Sequence, residues 1–303
     1  MFSFNKLVIF GVGLIGGSLA RALRERAGAK GRVVGVGRSA QSVARAVELG
    51  VIDEAVALDA DVALARALSD ADIVLLAAPV AQTEPLLARI APFLDARTIV
   101  TDAGSTKSDV VSSARKALGA SRIKQFVPGH PIAGRESSGV EAALPELYVE
   151  LNVVLCPLPE NAAADIEKIE AMWRATGACV RQMSEAQHDR VFASVSHLPH
   201  VLSCALVDQI LAAPDAELKF FFAAGGFRDF TRIAASSPEM WRDICLANRT
   251  ALLVELDDYV NVLARFRAAI EASDGAALEE AFARSRMART EWQERGGIKP
   301  AGK

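Results

Sequence analysis

The chain has little cysteine: four among 303 residues, Cys156, Cys179, Cys204 and Cys245, with no CxxC pair. Such spacing excludes a disulfide framework and a cysteine-ligated zinc site, and reads as reduced, mostly buried thiols of a cytoplasmic protein. No uninterrupted apolar stretch reaches the roughly 18 residues of a spanning helix, so no membrane partner is expected. Positive charge is not in excess either. Lys and Arg number 34 against 37 Asp and Glu, for a net charge of −3, and no basic run offers a footprint for nucleic acid. Internal repeats and low-complexity segments are absent. Histidine is scarce: His130, His188, His197 and His200 are all there are. What remains is 51% hydrophobic and 23% charged, a soluble globular composition long enough for two domains.

The most informative segment is FGVGLIGGSLA, residues 10–20. An apolar run, Leu7-Val8-Ile9-Phe10, enters Gly11, Gly13, Leu14, Ile15 and Gly16, and a helical pattern follows. In this arrangement Gly11 permits a tight turn, Gly13 lets a pyrophosphate approach the backbone, and Gly16 lets helix and strand pack closely. The phosphates then face the free amides and positive end of the helix. A signal peptide would share Lys6, the apolar run and Ser18-Leu19-Ala20, but glycines inside the run and a matching second strand, Arg32 to Val36, argue against it.

The end of that second strand selects the cofactor. An NAD enzyme usually carries Asp or Glu there for the ribose 2′-hydroxyl; this chain has Gly37-Arg38-Ser39. No carboxylate repels a 2′-phosphate, and Arg38 and Ser39 offer a guanidinium and a hydroxyl to bind one. NADP is therefore expected over NAD. The alternative is an Arg38 that is solvated, or that stacks on adenine with either cofactor. Ala78 and Pro79 complete the expected cofactor set.

Candidate strands at 6–11, 32–37, 72–77, 97–101, 123–127 and 149–156 alternate with amphipathic segments at 14–27, 40–49, 61–69, 82–93, 107–118 and 161–176. A last strand, 179–183, is expected on the sheet edge. This pattern predicts an α/β N-terminal Rossmann domain, doubly wound around a mostly parallel sheet, over residues 1–183. Beyond it the strand signal stops. Helical patterns at 184–213, 216–224, 229–235, 238–271 and 274–293 predict an all-α C-terminal domain over 184–303. Its apolar stripe of Leu252, Leu253, Leu256, Val260 and Leu263 suits a homodimer.

His130, in Pro128-Gly129-His130-Pro131, is placed just past a strand's carboxyl end, where open α/β sheets bind ligands. An imidazole there can take a hydroxyl proton while the same carbon loses hydride. Ser105, in DAGSTK, either caps the next helix, as Thr106 also could, or bonds the substrate hydroxyl and orients His130. Arg228 and Arg232 lie four apart after Gly225-Gly226 and suit carboxylates, unless they form solvated or interface pairs. The pair His197 and His200 has a possible metal spacing, but no companion ligands, and no metal is expected; a substrate contact by one of them, with the other structural, is the reading the residues favour. His188 reads most simply as a helix-start or domain-junction residue.

Taken together, FGVGLIGGSLA, DAGSTKSDV, GHPIAGRESSG, SHLPH and GGFRDFTRIAASSPEMWRDI resemble the prephenate/arogenate dehydrogenase family of tyrosine biosynthesis, from about Lys6 to Trp292. The resemblance implies a Rossmann domain followed by a helical dimerisation domain. It implies oxidative decarboxylation of prephenate to 4-hydroxyphenylpyruvate, or of arogenate to tyrosine. His130 would accept the ring hydroxyl proton with Ser105 in support. Arg232 would bind a substrate carboxylate, the ring one in the family's pattern, with Trp241 near the same pocket, Arg228 where the family commonly has a basic residue, and Glu136 at the site entrance. His200 matches the position associated with the prephenate side chain, which favours prephenate use or dual specificity. The family's Asp for NAD is missing at Arg38. A two-domain hydroxyacid dehydrogenase of another kind, or a non-catalytic NADP sensor, would not need these motifs together.

Overall fold

A computed structural model describes residues 2–135 and 137–295. The chain divides into two compact units, Met1–Arg249 and Thr250–Lys303.

In the first unit, strand β1 (Lys6–Phe10) leads into helix α1 (Leu14–Arg21), and β2 (Arg32–Gly37), α2 (Ala40–Glu48), β3 (Glu54–Ala57), α3 (Asp61–Leu68) and β4 (Ile73–Leu76) follow. Next come α4 (Thr83–Ile90), β5 (Ile99–Asp102), α5 (Ser108–Arg122) and the short β6 (Phe126–Val127). These six strands form one parallel sheet in the order β3-β2-β1-β4-β5-β6. Alternate side chains of β1 enter different cores: Leu7 and Ile9 one, Val8 and Phe10 the other. A sheet covered on both faces needs such continuously apolar strands. Phe10 pairs with Val36 on one side and Leu76 on the other, so the carboxyl ends of β1, β2 and β4 lie level along one edge.

The other strands stand apart. β7 (Gly129–Pro131), β8 (Asn152–Leu155) and, after α6 (Ala163–Ala175), β9 (Cys179–Gln182) make a second, three-stranded sheet. β7 runs antiparallel to β8, with His130 opposite Val154. The sequence reading is corrected at three points. Residues 149–156 and 179–183 do not extend the main sheet; Ile123–Gln125 is a 3₁₀ turn rather than strand; and His130 sits in a strand rather than a loop. The sequence reading omits β3 altogether, because Glu-Ala-Val-Ala holds a single β-branched residue between alanines, which suit a helix as readily as a strand.

A continuous helix then spans Glu185–Leu211. It consists of α7 (Glu185–Phe192), a π-helical turn Ala193–His197 and α8 (Leu198–Leu211). Pro199 supplies no N–H to the helix ladder, and the widened turn lies just before it. By length and composition alone this helix qualifies as a membrane span, an 18-residue window of it having a mean hydropathy of 1.3, which corrects the expectation that no segment would. Asp189 and the buried histidines it carries give its inner face a different task. The unit closes with α9 (Ala216–Phe221), α10 (Gly225–Thr231) and α11 (Pro238–Ala247). Of the four thiols only Cys156 is fully buried, fewer than expected.

The second unit contains most of α12 (Arg249–Glu271) and all of α13 (Gly275–Glu294). The Asp274 carboxylate accepts from the Ala277 amide to cap α13, and the rings of Phe266 and Phe282 stack with centroids 5.7 Å apart.

Candidate active site

The glycine loop meets the requirements of a dinucleotide. Gly11 has φ +94°, and a Cβ there would lie 2.5 Å from the Ala77 carbonyl oxygen, so only glycine fits. A Cβ on Gly16 would come within 2.3 Å of the Gly11 oxygen, whereas one on Gly13 would project into open space. That open space, at the N-terminus of α1 where no side chain caps the amides, is the cradle a pyrophosphate fills. Tyr148 braces the turn from behind, its hydroxyl donating to the Ile15 carbonyl at 2.6 Å. Ala78 and Pro79 follow the same Ala77 at the end of β4. Arg38 and Ser39 are exposed at the end of β2, and the Ser39 hydroxyl caps α2 by accepting from the Ser42 amide. Its own hydrogen remains available to an acceptor.

Two carboxylates hold the loops beyond the sheet. Asp102, at the end of β5, accepts from the Gly104 amide at 2.8 Å and the Gly129 amide at 3.0 Å. It also pairs with the fully buried Lys107 ammonium at 2.5 Å. Ser105 and His130 are thereby each one residue from an amide bound to the same carboxylate. Asp189, on α7, accepts from the amides of Lys107 and Ser108, both at 2.8 Å. Of the two readings of Ser105, the local cap of α5 by it or Thr106 is not what the structure shows: Asp189 caps the helix from a distant one.

Asp189 has a second role. Its Oδ1 is 2.9 Å from His188 Nδ1, and His188 Nε2 is 2.8 Å from His130 Nδ1. Burial alone would raise the Asp189 carboxyl, but hydrogen bonds from His188, Ser108 and the Lys107 amide hold it down to about 2. An ionised carboxylate only accepts, so His188 Nδ1 carries its proton. Burial keeps His188 below the usual histidine range, and its neutral Nε2 must accept. His130 therefore donates through Nδ1, and its Nε2 presents a lone pair. Burial, then the neighbouring His188 and Lys107, push His130 well below the ordinary value, which preserves that lone pair at neutral pH. The sequence reading gives His188 as a helix-start or domain-junction residue and does not single out Asp189. A His-Asp pair on a helix has no spacing signature, and only the fold brings it behind His130.

A second wall is built from α8 and α11. His200 stacks on Trp241, with centroids 3.5 Å apart and planes within 8°. His197 meets the same indole edge-on at 6.2 Å. Burial lowers both imidazoles to about 4. Asn248, after α11, donates from Nδ2 to the Asp189 carbonyl at 2.8 Å and to His197 Nδ1 at 3.0 Å. Arg228 is exposed on α10, and Arg232 opens the turn Arg232–Ala235, which packs on α8. Glu136 lies outside the described residues. Among the described residues no cluster of His, Cys, Asp or Glu could hold a metal.

Known proteins resemble both halves of this site. The family model described as "Prephenate dehydrogenase, nucleotide-binding domain" matches residues 19–182, and "Prephenate dehydrogenase, dimerization domain" matches 184–284. Prephenate dehydrogenase of Bacillus subtilis is 37% identical over 89% of this chain and 71% of its own length. Cyclohexadienyl dehydrogenase of Zymomonas mobilis is 36% identical over 99% of this chain and all of its own. A crystal structure of prephenate dehydrogenase from A. aeolicus, in complex with hydroxyphenyl propionate and NAD+, superposes with a TM-score of 0.88 at 36% identity, covering 95% of this chain and 98% of the other.

Proposed function

The chain belongs to the prephenate dehydrogenase family, and on that premise we propose that it converts prephenate to 4-hydroxyphenylpyruvate with NADP as its preferred cofactor. The observation that carries this reading is the His130–His188–Asp189 chain, whose hydrogen bonds leave His130 Nε2 as a proton acceptor. The A. aeolicus relative was crystallised with an aromatic acid of the product's class and with NAD+.

The amides of Leu14, Ile15 and Gly16 would hold the pyrophosphate, with Ala78 and Pro79 alongside and Arg38 and Ser39 at the ribose. The nicotinamide, when bound, supplies the hydride acceptor. His130 Nε2 takes the proton of the ring hydroxyl, supported by Ser105. The bond to the ring carboxylate breaks and CO2 departs, its electron pair entering the ring as the hydroxyl-bearing carbon gives up its hydride, and His130 returns the proton to the oxygen of the aromatic product. Arg232 binds a substrate carboxylate, with Arg228 beside it and Glu136 at the entrance, while His200 and Trp241 form the wall against the side chain. Arogenate, which carries an amino group in place of the keto group, is the second substrate to test.

We further propose a homodimer formed by the helical domain. Phe221 is 81% and Phe222 72% exposed in the first unit, and Leu253, Val260, Leu263 and Trp292 are about half exposed in the second. Large apolar side chains exposed in such number mark an interface.

The test crosses prephenate and arogenate with NAD and NADP and follows reduced nicotinamide by absorbance. Fast reduction of NADP with prephenate is the expected result. Reduction of NAD alone would overturn the cofactor assignment, and turnover of arogenate alone the substrate. Arg38→Asp shifts the ratio of kcat/KM for NADP to that for NAD toward NAD by about tenfold or more, the scale of one lost charge-assisted contact. An unchanged ratio would remove Arg38 from the 2′-phosphate.

A further inference from the structure

The mechanism above leaves His197 and Asn248 without a role, yet both are almost fully buried, at 1% and 4% exposure. Their protonation pattern follows from geometry. The Asp189 carbonyl can only accept, so the Asn248 atom against it is the amide NH2 group. The second hydrogen of that NH2 points to His197 Nδ1, and a neutral imidazole that accepts at Nδ1 carries its hydrogen at Nε2. His197 Nε2 is thus a buried donor, and among the described residues it has no acceptor. Trp241 Nε1, a donor in every state, is buried without an acceptor in the same aromatic cluster. Folded proteins rarely leave such groups unpaired, and ordered water or a bound ligand satisfies those that find no partner in the chain.

We infer that His197 is a further substrate-binding group, its Nε2–H donating to a carbonyl or carboxylate oxygen of the substrate, and that Asn248 is the positioning residue that fixes its tautomer. The inference rests on the proposed function only in taking the His200–Trp241 wall to face the substrate. Asn248 also grips the backbone of Asp189, so one amide sets both the donor wall and the proton chain behind His130.

Glutamine and asparagine separate the two ring nitrogens, because a Gln amide NH2 falls near Nε2 and an Asn amide falls near Nδ1. His197→Asn is expected to raise KM for prephenate about 10–100-fold, the scale of a lost bond to a charged or carbonyl oxygen, with a smaller change in kcat. His197→Gln is expected to stay within about 3-fold of the wild type. Asn248→Ala raises KM in the same direction but has no further effect on KM in the His197→Asn background, as residues acting in series require, whereas its lost grip on the Asp189 carbonyl acts on kcat in either background. The dissociation constant for the nucleotide stays unchanged in every variant, which checks the fold. Independently of turnover, ¹⁵N NMR of histidine-labelled protein shows His197 as the Nε2–H form in the wild type and as a tautomer mixture in Asn248→Ala. Equal KM for the Asn and Gln variants, or full additivity of Asn248→Ala with His197→Asn, overturns the donor role, and an unchanged tautomer overturns that of Asn248. A wild type inactive on both prephenate and arogenate overturns the proposed function instead, and the NMR arm still decides the tautomer.

Discussion

His130→Asn lowers kcat by about 10²–10⁴-fold, the usual worth of a positioned general base, while the affinity for the nicotinamide dinucleotide holds. The asparagine amide can still donate to His188 Nε2, so the chain behind it keeps its partner; what is lost is the lone pair facing the substrate hydroxyl. Steady-state rates with prephenate and dinucleotide titration of the same preparation measure both effects. The pH profile adds a sign. Burial with the nearby Lys107 depresses the His130 pKa, so its neutral form persists below the ordinary histidine value. The wild-type kcat/KM should therefore stay flat as pH falls past about 6.5 and decline only at the lower, depressed pKa. In His130→Asn that acid limb disappears. Unchanged turnover would route the hydroxyl proton to another group.

Much of this was legible along the chain, and the rest was not for identifiable reasons. Gly11 and Gly16 announce themselves because the strand, turn and helix they join form one unbroken segment, although the Ala77 carbonyl that a Cβ on Gly11 would strike is brought there only by the fold. His130 was legible from the prolines and glycines beside it. Its setting differs from the expectation, because a strand of three residues, Gly129–Pro131, carries no alternation to read. The apolar segments of β8 and β9 suit either of two sheets equally, and only register against β7 decides. The α5 cap misled for a similar reason. Ser105 and Thr106 stand where a local cap belongs, but Asp189, 82 residues beyond Lys107, provides the oxygens. The relay itself joins His130 to a residue 58 positions away, and Asn248 reaches back 59 residues to Asp189. Such pairings have no period, and a single sequence does not reveal them.

Asp189→Asn tests the relay where its effect is largest after the base itself. The new amide can offer its NH2 to His188 Nδ1, which then accepts and must carry its hydrogen on Nε2. That hydrogen meets the Nδ1–H of His130, donor against donor. The conflict ends when His130 moves its own hydrogen to Nε2, turning its lone pair away from the substrate. A comparable tautomer reversal in the Ser-His-Asp triad of serine proteases costs about 10⁴-fold, so a fall in kcat of about 10²–10⁴-fold is expected with KM little changed. The same substitution weakens the cap of α5. Asn keeps one acceptor oxygen for two amides, and a buried amide left unpaired costs about 1–3 kcal/mol, so the thermal midpoint should fall as well. The two consequences separate in the double variant. If Asp189 acts through His130, then His130→Asn with Asp189→Asn is no slower than His130→Asn alone, because residues acting as a unit are not additive, while the loss of thermal stability persists. A double variant slower by the product of the two single effects would show Asp189 to be a structural cap and leave His130 to work unaided.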